Sequence, residues 1–147
     1  MTSDSPVQLA AWRSVDLPHD DEAVRATREL LRDVLGPDGA DLPPSTVTDT
    51  VIVAGELVLN AVDHGMPGTT GMIEFSWRLT RQHVVIRVVD AGVGPEIVRG
   101  IGSDDSLRGR GLVLVDALAD SWSADRTGRT TVTARIPRER GALGAPR

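Results

Sequence analysis

Between residues 51 and 62 almost every position is apolar. Val51-Ile52-Val53-Ala54 runs into Leu57, Val58, Leu59, Ala61 and Val62, with only Gly55, Glu56 and Asn60 between. The run continues a segment that opens after Pro43-Pro44, and together they predict one helix with Ser45 or Thr46 as N-cap and Gly65 as its stop. A helix apolar nearly all round is expected to be buried. Glu56, Asn60 and His64 are spaced four apart, so each is offset from the last by about 40° and the three form one stripe. A carboxylate and an amide are therefore expected inside, where each needs a partner.

The other segments show their own periods. Val7 to Leu17 reads as a first strand. Pro18-His19-Asp20-Asp21 then opens a helix, capped by Asp20 or Asp21, whose apolar positions Ala23, Val24, Leu30, Leu31, Val34 and Leu35 share a face until Gly36-Pro37-Asp38-Gly39 ends it. Arg25, Arg28 and Arg32 fall on a solvated face, Arg28 being equally able to reach a partner. Residues 72–79 and 82–89 alternate about Thr80-Arg81 and predict an antiparallel hairpin. A polar, glycine-punctuated stretch covers residues 96–109. Leu112 to Ala119 has a helical pattern opened by Gly109-Arg110-Gly111, and strands over 121–126 and 130–136 turn at Thr127-Gly128-Arg129. Strands and helices mix without strict βαβ alternation, which predicts an α+β two-layer sandwich: a mixed, largely antiparallel sheet with helices on one face.

Composition narrows the class. The 147 residues suit one domain, expected over 7–138 between a disordered start at 1–6 and a loose tail at 139–147. A net charge of −5 with no long basic run argues against direct nucleic-acid binding. Cysteine is absent, which removes disulfides, thiolate metal sites and a cysteine nucleophile. Three histidines without helical pairing give no zinc pattern. No apolar run reaches the ~20 residues of a membrane span and no signal peptide is visible, so the expectation is a cytoplasmic protein without membrane contact.

Three stretches carry candidate chemistry. Glu56 and Asn60 fit a general base and a metal-coordinating carbonyl; capping a neighbouring turn or pairing with an arginine fits them as well. His64 at the helix end fits dipole complementation or structure better than ligation. Asp90-Ala91-Gly92-Val93-Gly94 ends a strand, where glycines admit a close ligand and the aspartate can accept from an exocyclic amine such as that of adenine, although a simple turn uses the same residues. Gly109-Arg110-Gly111-Leu112, opening a helix, can offer backbone N–H groups to a phosphate or merely permit a turn. Neither glycine cluster is a Walker A or a Rossmann fingerprint.

In this order and spacing, Glu56…Asn60…His64, Asp90-x-Gly92-x-Gly94 and Gly109-x-Gly111-Leu112 resemble the N, G1 and G2 boxes of Bergerat-fold (histidine-kinase-like) ATP-binding domains. These are shared by type II topoisomerases, heat-shock chaperones, mismatch-repair ATPases and histidine kinases. The longer match, from Glu56-Leu57-Val58 through His64-Gly65 and from Gly109 through Asp120-x-Trp122, resembles the bacterial anti-sigma factor serine/threonine kinases and their small actinobacterial relatives. It spans roughly Val15 to Ile136 and departs at Gly55, where relatives carry a small polar residue, and at Trp122-Ser123, where they carry Trp-Gly. A glycine inside a helix weakens it by up to about 1 kcal/mol and points to close packing there.

The resemblance implies roles. Glu56 is the general base, Asn60 ligates Mg²⁺ bridging the phosphates of ATP, Asp90 takes the adenine amine with Gly92 and Gly94 making room, and Thr130 completes the adenine pocket. Residues 96–108 form the lid, Gly109, Gly111 and Leu112 cradle the phosphates, and Arg108 and Arg110 contact phosphate or solvate the lid. The activity implied is an anti-sigma factor kinase that phosphorylates a small antagonist protein, sequesters a sigma factor, and forms a homodimer. The alternatives are a non-catalytic ATP-binding switch for protein partners and a solitary ATPase. A detached histidine-kinase catalytic domain lacks support, since no dimerisation helix with a phosphoacceptor histidine precedes the boxes.

Overall fold

Alternation in the middle of the chain sets the architecture. Along β2 (Met72–Leu79) the side chains Ile73, Phe75 and Trp77 are buried on one face, and along β3 (His83–Asp90) Val84, Ile86 and Val88 join them. The computed structural model describes residues 11–36, 41–64, 71–90 and 106–139, with 64 and 106–111 described by backbone alone. Within these residues β1 (Arg13–Pro18), β4 (Ser121–Asp125) and β5 (Thr130–Pro137) complete an open five-stranded sheet in the order β1-β2-β3-β5-β4. Every pairing is antiparallel, so the expected admixture of parallel strands is absent among the described residues. Of the strand expected from Val7 to Leu17, residues 7–10 lie outside the described residues, Ala11 and Trp12 are not in a strand, and Arg13 to Leu17 fall in β1.

Three helices, α1 (Glu22–Leu35), α2 (Pro44–His64) and α3 (Ser106–Leu118), form the second layer. α1 buries Ala23, Thr27, Leu31 and Leu35, one stripe at helical spacing, against α2. The N-cap of α1 is Asp21, whose side chain makes no capping bond; the Asp20 carboxylate, one residue earlier, accepts from the Glu22 N–H at 2.9 Å and so holds the first helical N–H. α2 starts earlier than its cap signals indicated. Pro44 is its first residue, as proline favours, and the Thr46 hydroxyl donates to the Arg138 carbonyl at 2.6 Å, fastening the helix to the end of β5.

α2 is long and apolar enough to cross a membrane, with mean hydropathy 1.3 over Pro44–Asp63, which corrects the expectation that no such run exists. Half of that window is buried inside the protein. Its inner side, with Val53, Ala54, Leu57, Val58 and Ala61, packs on β3 and β5, and this is the role its composition serves here. Phe75 and Trp77 stack with ring centroids 5.9 Å apart in the same core cluster. Burying one such ring contributes about 2–3 kcal/mol, which makes this face the centre of the core.

The β4–β5 turn needs one unusual backbone conformation, supplied by Gly128 at φ 82°. Before it, Asp125 accepts from the Thr127 N–H at 2.9 Å. The Thr127 N–H and hydroxyl hold the Asp125 carboxyl below the usual aspartate range. That turn contact is therefore complete above the ordinary aspartate pKa and loosens as pH falls through the lowered one.

Candidate ATP site

Asp90 ends β3 and Thr130 begins β5, and the register sets them directly opposite each other. Both are 5% exposed, and both share the period of the core residues Val88 and Val132, so they lie on the helix-bearing face. Two residues forty positions apart, each assigned to an adenine pocket, thus form one buried polar pair at the sheet's end. Each also has a polar or electrostatic contact of its own, so neither is an abandoned polar group in the core.

α2 packs over these strands and carries Glu56 and Asn60. The expectation that both are carried inside is corrected: each is half-buried, because the helix is not apolar all round. Leu59, 36% exposed, together with Asp63 marks its outer side, and the Glu56–Asn60 stripe occupies the flank between that side and the core. Among the described residues neither side chain makes a hydrogen bond or an ion pair, so the cap and arginine-pair alternatives have no partner there. A half-buried carboxylate and amide left open, one turn apart, are groups available to a ligand.

α3 lies beside α2. The helix expected to open at Gly109-Arg110-Gly111 is already helical at Ser106, the first described residue of this stretch. Gly109 and Gly111 therefore sit inside the helix rather than at its opening. Leu112 is 7% exposed and its side chain belongs to the hydrophobic core, which leaves its backbone as the part that could face a phosphate. Gly92, Gly94 and the lid up to residue 105 lie outside the described residues, as do the side chains of His64, Arg108 and Arg110.

Both departures from the expected pattern have local explanations. A Cβ at residue 55 would stand 2.8 Å from Arg28 Nε and 3.1 Å from one of its terminal nitrogens, so Gly55 is the notch in which the α1 arginine lies across α2. Arg28, read from sequence as solvated or partner-seeking, is thus a packing side chain; the signal was the glycine in mid-helix. Gly55→Ala should gain less than the full helix-propensity benefit of about 1 kcal/mol in the native background and the whole of it once Arg28→Ala has emptied the notch. Thermal unfolding of the four chains checks this, the full gain being about 2–5 °C, and equal gains in both backgrounds would contradict it. Trp122 donates from Nε1 to the Asp116 carboxylate at 2.7 Å, tying α3 to β4, and Ser123 follows on the opposite face of an exposed strand, where a side chain is accommodated.

The family model for the histidine kinase-like ATPase domain matches residues 17–136. A search of curated proteins finds no match.

Proposed function

Because the chain belongs to the histidine kinase-like ATPase domain family, an ATP-binding fold, we propose that it uses ATP to phosphorylate a serine or threonine hydroxyl on a small antagonist protein, as an anti-sigma factor kinase. The observation that carries this reading is the Glu56 carboxylate one helical turn from the Asn60 amide, both without a polar partner among the described residues, on the helix that packs over the strands carrying the buried Asp90–Thr130 pair.

Asp90 would hold the adenine amine and Thr130 would close that pocket. Asn60 would hold Mg²⁺ through its carbonyl oxygen; one neutral protein oxygen suits an ion that draws its other ligands from phosphates and water. When bound, that ion neutralises phosphate charge and orients the terminal phosphoryl group. Glu56 would orient the acceptor hydroxyl and take its proton as the hydroxyl oxygen bonds to the γ-phosphorus and the bond to the β-phosphate oxygen breaks, leaving ADP. Gly92, Gly94, Arg108, Gly109, Arg110 and Gly111 would complete the phosphate and adenine contacts.

Protein partners are further supported by α3, where Val113 (65%) and Leu114 (41%) are exposed while Leu112 and Val115 are buried, so an apolar pair is left on the outer side of the described part of the helix. A sigma factor, the antagonist and a second copy of the chain are the partners this reading supplies, and the cytoplasm is its setting.

The test is transfer of labelled γ-phosphate. Label on the antagonist's serine or threonine supports the kinase. Tight ATP binding with no labelled antagonist supports a nucleotide-controlled binding module, and steady release of phosphate without a partner supports a solitary ATPase. The magnesium role has its own measurement. Mg²⁺ should strengthen ATP binding by about ten-fold in the native chain and barely at all in Asn60→Ala, a difference of about 1.4 kcal/mol; equal strengthening in both would remove Asn60 as the ligand.

A further inference from the structure

The sheet face turned away from the helices carries a concavity of about 390 Å³, bounded by the β4–β5 turn from Thr127 to Arg129 and floored by Glu74, Arg87, Val89 and Thr131. Arg87 is its unexplained member. It stands in mid-strand on β3 opposite Ser76 and Thr133, so no carboxylate faces it across either neighbouring strand. Its Nε is buried without a hydrogen-bond partner, and among the described residues the guanidinium makes no hydrogen bond or ion pair. Its one specific contact is with the ring of Trp12, 4.0 Å away, which Arg78 also approaches at 5.1 Å.

A cation–π contact satisfies the charge through the aromatic face but leaves the in-plane N–H donors unused. Arg129, across the concavity, is barely engaged: its nearest carboxylate is Glu74 at 3.9 Å, beyond hydrogen-bond length, in an exposed pair of little worth. Two guanidinium groups with unused donors therefore line one hollow together with the Thr131 hydroxyl. A planar fork of this kind matches a carboxylate or a phosphate bidentately.

We propose that this concavity binds a small free oxyanion, a carboxylate- or phosphate-bearing metabolite, anchored by Arg87 and assisted by Arg129. Glu74, the only carboxylate lining the hollow among the described residues, selects for a ligand that also presents a hydroxyl or ammonium group and works against a bare, highly charged anion. The site is separate from the one that holds Asp90 and does not depend on the ATP reading. Val89 and Thr131 are the cross-strand partners next to Asp90 and Thr130, and their side chains emerge on the opposite face of the same two strands.

Amide and arginine Nε spectra of the ¹⁵N-labelled full chain, titrated with sodium phosphate and separately with sodium citrate at ionic strength held constant with sodium chloride, test the proposal. Saturable shifts are expected at Gly128, Arg129, Thr131 and the Arg87 Nε–H. The better of the two anions identifies the source as phosphate or carboxylate. Arg87→Gln should weaken binding by about ten-fold or more, whereas Glu74→Gln should tighten it several-fold. Shifts that fail to saturate, that sodium chloride reproduces, or that persist unchanged in Arg87→Gln mean an adventitious ion only and overturn the site. Should Arg87→Gln fail to fold, Arg129→Gln and Glu74→Gln decide it, since the proposal requires them to move the midpoint in opposite directions.

Discussion

Asp90→Asn should lower ATP affinity by about ten- to a hundred-fold while leaving the fold intact. The carboxylate is acceptor-only, and an exocyclic adenine amine is a donor. Asparagine puts a donating NH₂ where one of the accepting oxygens stood, so the substitution both loses a charge-assisted bond and risks facing donor to donor. A hydrogen bond to a charged group contributes about 1.5–3 kcal/mol, which at about 1.4 kcal/mol per decade gives that range. The position is 5% exposed and sits across from Thr130, so water cannot easily replace the lost partner. Calorimetric titration of ATP with and without Mg²⁺ into both chains measures it, and a thermal melt of each separates loss of binding from loss of fold, because Asp90 also has a contact of its own. Unaltered affinity in Asp90→Asn would place the adenine elsewhere. No binding to the native chain at millimolar ATP would leave the fold as a scaffold for protein partners.

What could be read from the sequence was whatever a local period or a local cap encodes. The strands 72–79 and 83–90, the α1 stripe of Ala23, Leu31 and Leu35, and the turn at Gly128 all lie within a residue or so of their patterns, because each is decided by side chains a few positions apart. The cross-strand meeting of Asp90 and Thr130 was legible only through resemblance, since no local rule pairs residues forty apart. The burial of Glu56 and Asn60 was misjudged for a related reason. Apolar content says how much of a helix wants cover, but the neighbours decide which sides receive it, and Leu59 is left partly exposed. Thr46 looked like a cap and is instead spent on Arg138, a contact 92 residues away. The extent of α3 was missed because glycines at 109 and 111 suggested a boundary where the backbone is already helical from Ser106. Arg28 and Gly55 explain each other, but only after α1 has been laid against α2.

The largest effect on turnover is expected at Glu56. With the cognate antagonist, Glu56→Ala should cut the phosphotransfer rate by about a hundred- to ten-thousand-fold, the usual contribution of a positioned general base, and leave ATP affinity within about two-fold. The separation follows from placement. Glu56 shares a flank of α2 with Asn60 and makes no ion pair or hydrogen bond among the described residues, so removing it breaks no polar contact there, and the Asp90–Thr130 pair proposed to hold adenine is on different elements altogether. The substitution also puts a good helix former in the middle of a helix, so stability should not fall. Single-turnover transfer of labelled phosphate, run beside calorimetry on the same samples, reads the two quantities independently. A Glu56→Ala chain that phosphorylates the antagonist at the native rate would remove the carboxylate from the chemistry. If affinity and rate fell together, the residue would be organising the nucleotide site rather than moving a proton. Glu56→Gln distinguishes the remaining case, since it keeps the shape and hydrogen-bonding reach of the side chain but cannot accept the hydroxyl proton; it should be as slow as the alanine variant.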